Sequence, residues 1–273
     1  MRLDISHASE ADMKALVTGA NGTLGAVLVR HLNDLGIETA VWDRSEVPVD
    51  DYHKMESFVL STGAKYIFHL AIASRPTGAD NEFWTVNYEW PSELAWICRM
   101  NDLKFIFTST AMVFSDEAKG PFTVESVPDA HEEYGKVKRL AEQRVLSQDP
   151  DSLVVRLGWQ IGKTAGTNNM VDFCENEMKT KGKIEASCRW FPACSFLEDT
   201  AAELTTLALE KRAGLCMIDS NIKWDFYEIV AALNVKQGGN WKVEKTESFV
   251  YDQRLIDPSV PMPPLAARLQ GLR

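Results

Sequence analysis

The sequence predicts a doubly wound α/β fold, a parallel sheet covered on both faces by helices, with a smaller C-terminal lobe. Three observations carry this. The short apolar run Lys14-Ala15-Leu16-Val17-Thr18 ends in a turn with three glycines (Gly19, Gly22 and Gly25), and a helical pattern over Ala26 to Leu32 follows at once. Strand and helix patterns then alternate as far as Gly158, as parallel strands joined by crossovers require. Tyr66 to Ala71 is a near-continuous apolar run, which suits a strand buried on both faces.

Taken in order, the opening helix runs to about Leu35, with Gly36 as its C′ glycine. Thr39 to Trp42 is a second strand ending at Asp43-Arg44. Tyr52 to Leu60 reads as a helix, with Met55, Phe58 and Val59 on one side and Gly63 at its end. Ser74 to Asp80 is a polar loop. Phe83 to Met100 is a long helix interrupted by Pro91, with Trp84, Trp90 and Trp96 at core spacing. Phe105 to Ser109 is a fourth strand, Thr110 to Asp129 a long loop, Gly135 to Leu146 a helix, and Leu153 to Leu157 a fifth strand.

Beyond Gly158 the alternation breaks down. Gly162 to Asn169 reads as a loop. Met170 to Lys179 and Glu198 to Leu209 read as helices, the second starting from a cap within Ser195 to Asp199. Arg189 to Phe196 is apolar and irregular, Leu215 to Ile218 is one more strand, and Asp225 to Leu233 is a helix. The proline-rich tail over 257–264 is extended.

Composition narrows the function classes. The chain has 273 residues and a formal net charge of −10, which argues against a general nucleic-acid or anionic-membrane binder. Its five cysteines include no C-x-x-C pair, and an odd count cannot pair completely, so a reduced, cytoplasmic protein is expected. The histidines have no ligand spacing to a cysteine, so no metal site is expected. Residues 1–12 lack the apolar core of a signal peptide and read as a loose extension. No run is long and apolar enough to span a membrane.

The chemistry starts at the glycine turn. Gly19 lets the chain turn sharply, Gly22 lets backbone approach a ligand, and Gly25 lets the helix pack close to its strand. The free N–H groups of the first helical turn, over Asn21 to Gly25, then form an anion site suited to a pyrophosphate. Asp43 lies at the end of the second strand, where a carboxylate can bind an adenosine ribose and favour NAD(H). Arg44 follows it, and a guanidinium there can pair with a 2′-phosphate and favour NADP(H). The reading leans to NADP(H), because Asp43 can rotate away; the bland alternative is a turn cap and a solvated arginine. Asp50 either reaches the adenine edge or caps a helix.

A second constellation is Thr110, Tyr134 and Lys138. Tyr134 is the one tyrosine with a lysine four residues later, and the two share a face at the start of a helix. Thr110 ends the preceding strand. A phenol needs a nearby cation to work as an acid or base at neutral pH, and Lys138 can supply it. Thr110 would hydrogen-bond a substrate carbonyl and Tyr134 would protonate its oxygen as a nicotinamide delivers hydride.

These residues, with Phe68-His69-Leu70-Ala71, Val86-Asn87, Ser109-Thr110-Ala111-Met112-Val113-Phe114, Tyr134-Gly135-Lys136-Val137-Lys138 and Arg156-Leu157-Gly158-Trp159, occur in the order seen in the extended short-chain dehydrogenase/reductase superfamily. The chain resembles that superfamily over about residues 14–160, and within it the dTDP-4-dehydrorhamnose reductases. The resemblance implies a Rossmann-like domain over 13–159 plus about 196–220, and a substrate-binding lobe over about 160–195 plus 221–273. It makes Thr110, Tyr134 and Lys138 catalytic. Gly19, Asn21, Gly22, Thr23, Leu24, Gly25, Asp43, Arg44, Asp50, Leu70, Ala71, Ala73 and Asn87 are expected by the cofactor, together with Tyr134 and Lys138, the lysine holding the nicotinamide ribose. Ser74, Thr110, Met112, Trp159, Asn168 and Asn169 fall in the substrate cleft. It implies reduction of a nucleotide-linked keto-deoxysugar and a homodimer formed through the helices near 83–100 and 135–148. Ala111-Met112 stand where sugar-nucleotide dehydratases carry acids, which argues against dehydration. Met112 also replaces the cysteine of epimerase-reductases and the usual tyrosine of rhamnose reductases, and Arg189 to Cys194 replaces the latter's Gln-Gly-x-Pro-Thr-like stretch. Another sugar-nucleotide epimerase or dehydrogenase, or a non-catalytic regulatory subunit, are the alternatives.

Overall fold

The computed structural model describes residues 13–73, 77–164 and 167–272. The expected extension over 1–12 and Ser74 lie outside them. The first half runs β1 (Lys14–Thr18), α1 (Thr23–Asp34), β2 (Glu38–Val41), α2 (Tyr52–Thr62), β3 (Tyr66–His69), α3 (Glu82–Trp84), a π-helical segment (Thr85–Glu89), α4 (Trp90–Met100), β4 (Lys104–Thr110), a 3-10 turn (Ala111–Val113), β5 (Phe122–Thr123), α5 (Glu133–Gln148) and β6 (Leu153–Leu157). The second runs β7 (Trp159–Ile161), α6 (Met170–Lys181), β8 (Ile184–Ser187), β9 (Trp190–Phe191), β10 (Cys194–Phe196), α7 (Leu197–Leu209), β11 (Gly214–Ile218), α8 (Phe226–Lys236), β12 (Val243–Thr246), β13 (Tyr251–Asp252) and β14 (Leu255–Ile256).

Six strands form one sheet in the order β11-β6-β4-β3-β1-β2, and every pair in it is parallel. The chain leaves β1 towards β2, then crosses back to β3, so the order reverses between β1 and β3. That reversal opens a crevice at the carboxyl ends of the strands, where ligands of such sheets bind. Alternate side chains of one strand enter opposite cores: Ala15, Val17, Phe68 and Ile106 pack under α1 and α7, while Leu16, Ile67, Phe105 and Phe107 pack under α2, α4 and α5. A separate core built from Ile161, Met170, Ile184, Phe196, Phe226 and Leu265 holds the remaining elements together.

The structure departs from the expectations where long-range contacts decide. β3 ends at His69: the Leu70 N–H still reaches the Thr18 carbonyl, but the Ala71 N–H turns to the Thr18 hydroxyl and leaves the ladder. The single helix over 83–100 is three pieces. Pro91, in the first turn of α4, has no N–H to donate, and the π-helical segment lies just before it. Of the three tryptophans placed at core spacing, only Trp90 is buried; Trp84 is 38% exposed and Trp96 is half-buried beside Arg99. The irregular stretch 189–196 holds β9 and β10, paired with β13 and β7. The cap expected within Ser195–Asp199 is not a side-chain cap: Phe196 occupies the N-cap of α7 and the Ser195 hydroxyl is buried without a partner. The tail is not all part of the lobe, since Val260 packs into the core under α1 and α7.

Among the described residues no helix is long and apolar enough to cross a membrane, no cluster of His, Cys, Asp or Glu could hold a metal, and the five cysteines are free thiols.

Candidate active site

The glycine turn is built tightly. Gly19 has φ +68°, and a Cβ on Gly25 would stand 2.1 Å from the Gly19 carbonyl oxygen, so only glycine lets α1 start this close to β1. Gly22 is the N-cap of α1 and offers no side-chain acceptor, and the first turn carries no acidic residue. The leading N–H groups of α1 are therefore left facing outward with the positive end of the helix dipole behind them. Asn21 is exposed, and Thr23 and Leu24 are half-buried.

The loop after β3 is stitched across this turn. Ala71 N–H donates to the Thr18 hydroxyl at 3.2 Å, and that hydroxyl also meets His69 Nδ1 at 3.0 Å. Two residues on, Ala73 N–H donates to Asn87 Oδ1 at 3.3 Å, while Asn87 Nδ2 donates to the Phe83 carbonyl at 2.9 Å. Asn87 is thus a buried clamp between the loop and the π-helical segment.

Thr110 ends β4 as expected, and its Oγ1 accepts from Met112 N–H at 3.2 Å. Its own O–H remains free to donate. Met112 is 50% exposed, and its carbonyl lies 2.0 Å from where a Cβ on Gly135 would stand, so glycine lets α5 press against the 3-10 turn. This seats Tyr134 and Lys138 next to the end of β4. Lys138 is fully buried, donates to the Thr108 carbonyl at 2.7 Å and lies 4.1 Å from the centre of the Phe107 ring. One turn further, Glu142 makes a buried bidentate pair with Arg156 of β6, at 3.0 and 2.8 Å. Tyr134, Lys138 and Glu142 form one i, i+4 stripe, locked to the sheet by a carbonyl and an ion pair.

Burial sets the protonation here. It pushes the Lys138 amine down to about 7, against the opposing pull of Glu142. It pushes the Tyr134 phenol up to about 12. The lowering of the Tyr134 phenol by Lys138 that the sequence suggested is therefore corrected: the amine turns to a backbone carbonyl, and desolvation dominates both groups. The phenol is protonated at neutral pH, which is the form a general acid needs. His69, buried beside Trp90, is held well below the usual imidazole range by burial and by Lys138, so it is neutral.

At the end of β2 the arrangement differs. Asp43 Oδ1 accepts from the N–H and hydroxyl of Ser45 at 2.8 and 2.7 Å, so Asp43 caps a turn. Those bonds hold its carboxyl below the usual range. Arg44, expected either to meet a phosphate or to be solvated, instead donates to Glu82 Oε1 at 3.2 Å. Asp50 is exposed, and the cap of α2 is its neighbour Asp51, which accepts from Lys54 N–H.

On the lobe, Trp159 is half-buried within a ring cluster, with centroids 5.2 Å from Phe173, 6.0 Å from Phe226 and 6.1 Å from Trp190. Asn168 is exposed. The Asn169 side chain does not present itself to a ligand. Its Oδ1 accepts from Val171 and Asp172 N–H, and its Nδ2 donates to Thr164 and Thr167, which uses up the amide as the cap of α6. Sequence reasoning gave no role to Glu82, to the Glu142–Arg156 pair or to His69, although His69 and Arg156 stand within quoted motifs and Glu142 is the next i+4 position of the Tyr134–Lys138 stripe.

A family model described as the RmlD substrate binding domain matches residues 13–211. The chain belongs to that family. The RmlD family falls within the extended short-chain dehydrogenases/reductases. Among curated relatives, the probable low-salt glycan biosynthesis reductase Agl14 of Haloferax volcanii is 29% identical over 174 residues, covering 59% of this chain and 58% of that protein. A dTDP-4-dehydrorhamnose reductase of Streptomyces griseus is 30% identical over 160 residues, covering 57% of this chain and 52% of that protein. The chain thus spans a little over half the length of these relatives. The crystal structure of a Bacillus anthracis dTDP-4-dehydrorhamnose reductase in complex with NADP superposes with a TM-score of 0.78 at 17% identity, covering 93% of this chain and 95% of that one. That likeness shows a shared fold.

Proposed function

We propose that this chain is a nicotinamide-dinucleotide-dependent reductase of a nucleotide-linked keto-deoxysugar, working as the dTDP-4-dehydrorhamnose reductases in its family do. The observation that supports this is the Tyr134–Lys138 stripe of α5, tied to β4 by the Lys138 bond to the Thr108 carbonyl two residues before Thr110, in a sheet whose first strand leads into the uncapped start of α1. The residues fit a dinucleotide: the bare N–H groups of α1 suit a pyrophosphate, and Lys138 has donors left for a ribose. A bound reduced nicotinamide would supply the hydride. Thr110 would align the substrate carbonyl through its free O–H, and Tyr134 would give its proton to the carbonyl oxygen. Trp159 would flank the sugar from the lobe side, with the lobe closing over the nucleotide. Both NADP(H) and NAD(H) enter this proposal. A homodimer through the helices near 83–100 and 135–148 goes with it, supported by the exposed Trp84 and Met100. So does a cytoplasmic location, supported by the free thiols.

The test is Tyr134→Phe, assayed with NADH and NADPH against dTDP-linked 4-keto-6-deoxysugars. Turnover falls by about a thousandfold, the scale of a lost general acid, while dinucleotide binding stays within about twofold. Undiminished turnover in this variant overturns the assignment. Light scattering reads the oligomeric state.

A further inference from the structure

Glu82 lies 38 residues after Arg44, on α3 beyond the next strand, yet its carboxylate spans two partners. Oε1 takes the Arg44 guanidinium at 3.2 Å, and Oε2 takes the Thr77 N–H at 2.6 Å. The Glu82 side chain is only 9% exposed, whereas that of Arg44 is 36% exposed. The carboxylate is therefore the fixed partner and the guanidinium the one that comes to it. Around them, residues 43–51 carry Asp43, Glu46, Asp50 and Asp51 against the single Arg44.

We infer that Glu82 sets the dinucleotide preference of this chain, by holding Arg44 neutralised so that the site at the end of β2 takes the 2′-hydroxyl form, NAD(H), over NADP(H). The inference rests on the dinucleotide reading above and deepens it. A 2′-phosphate placed on Arg44 brings about two negative charges beside Glu82, and it must either pull the guanidinium away or share it. It also enters a segment that is net negative without it. A 2′-hydroxyl needs no cation. It can donate to a carboxylate, and the second oxygen of Asp43 is free of the Ser45 turn. Glu82 touches no reacting atom; it is a positioning residue that acts through Arg44.

Glu82→Gln tests this with little disturbance. The amide oxygen still accepts from Thr77 N–H, so the loop stays latched while the charge is removed. Binding of NADH and NADPH to wild type, Glu82→Gln and the double variant Glu82→Gln/Arg44→Met is measured by titration calorimetry, without substrate. Wild type is expected to bind NADH at least about tenfold tighter than NADPH. Glu82→Gln is expected to tighten NADPH by about tenfold and leave NADH within about twofold, the gain falling with salt as a charge-assisted contact does. The double variant loses the gain. Wild type binding NADPH as tightly as NADH overturns the inference, as does a Glu82→Gln variant that moves both dinucleotides equally or keeps its gain without Arg44. If neither dinucleotide binds wild type, the reductase reading itself fails and takes this inference with it.

Discussion

The two ends of the crevice are built on opposite physics. At the α5 end, Lys138 is 2% exposed and stacked on Phe107, and its protonation follows from the removal of water. At the β2 end, Asp43 and Arg44 lie in solvent, and short hydrogen bonds and an ion pair decide which way each points. In the dry end a single polar group carries a large free energy, because nothing but the protein can solvate it. In the wet end each contact is worth little to the fold, since water replaces it. It still decides what charge the site shows to a ligand. The difference teaches where to look for chemistry and where to look for selectivity.

Tyr134→Phe probes the dry end most sharply, with the loss of about three orders of magnitude in turnover given above. Lys138→Met comes next, read by stability in the absence of ligand. The amine is lowered from its ordinary 10.5 to about 7 in the folded chain. The unfolded chain therefore binds more protons between those values, and stability rises with pH across that window. Below about pH 7 the buried amine imposes its full penalty, on the order of 3–5 kcal/mol at about 1.4 kcal/mol per unit. Removing it raises Tm most at low pH, and the gain fades towards pH 10. A pH-independent difference in Tm would show that packing, rather than desolvation, governs this end.

Trp159→Ala is expected to raise KM for the nucleotide sugar by about tenfold with kcat within about threefold, since an aromatic wall binds ground and transition states alike. An equal fall in kcat would move Trp159 into the chemical step. The smallest effect belongs to the wet end. Asp43→Ala should shift Tm by no more than about 2 °C at neutral pH, as fits an exposed turn. Because the folded carboxyl is lowered by Ser45, the small difference is present above about pH 4 and vanishes as pH falls below it. A large destabilisation by this variant would erase the contrast between the two ends.

What could be read from the chain alone follows the range of the forces. The glycine turn is local, and β1, the turn and α1 stand where the spacing of Gly19, Gly22 and Gly25 puts them. Thr110 at the end of a strand and Tyr134 with Lys138 one helical turn apart are also local patterns, and the sheet brings them to one edge. Asn169 shows the opposite. An asparagine before a helix can serve a ligand or the helix, and which it does depends on Thr164 and Thr167 folding back onto its amide. The tryptophans of α4 have helical spacing whether they face a core or solvent, and only the neighbours of Trp90, namely Trp42 and His69, put it inside.

By itself the sequence determined the doubly wound sheet, the glycine turn that leaves the first helix uncapped and the residue types of the candidate site. Each of these follows from periodicities of two and 3.6 and from glycines that admit close backbone approach. The tertiary structure decided the charges: a buried amine whose pKa falls to about 7, a phenol kept protonated, and an arginine at the β2 end paired with Glu82. Dielectric and ion pairing depend on what lies within a few ångströms in space, and for Arg44 that neighbour is 38 residues away along the chain.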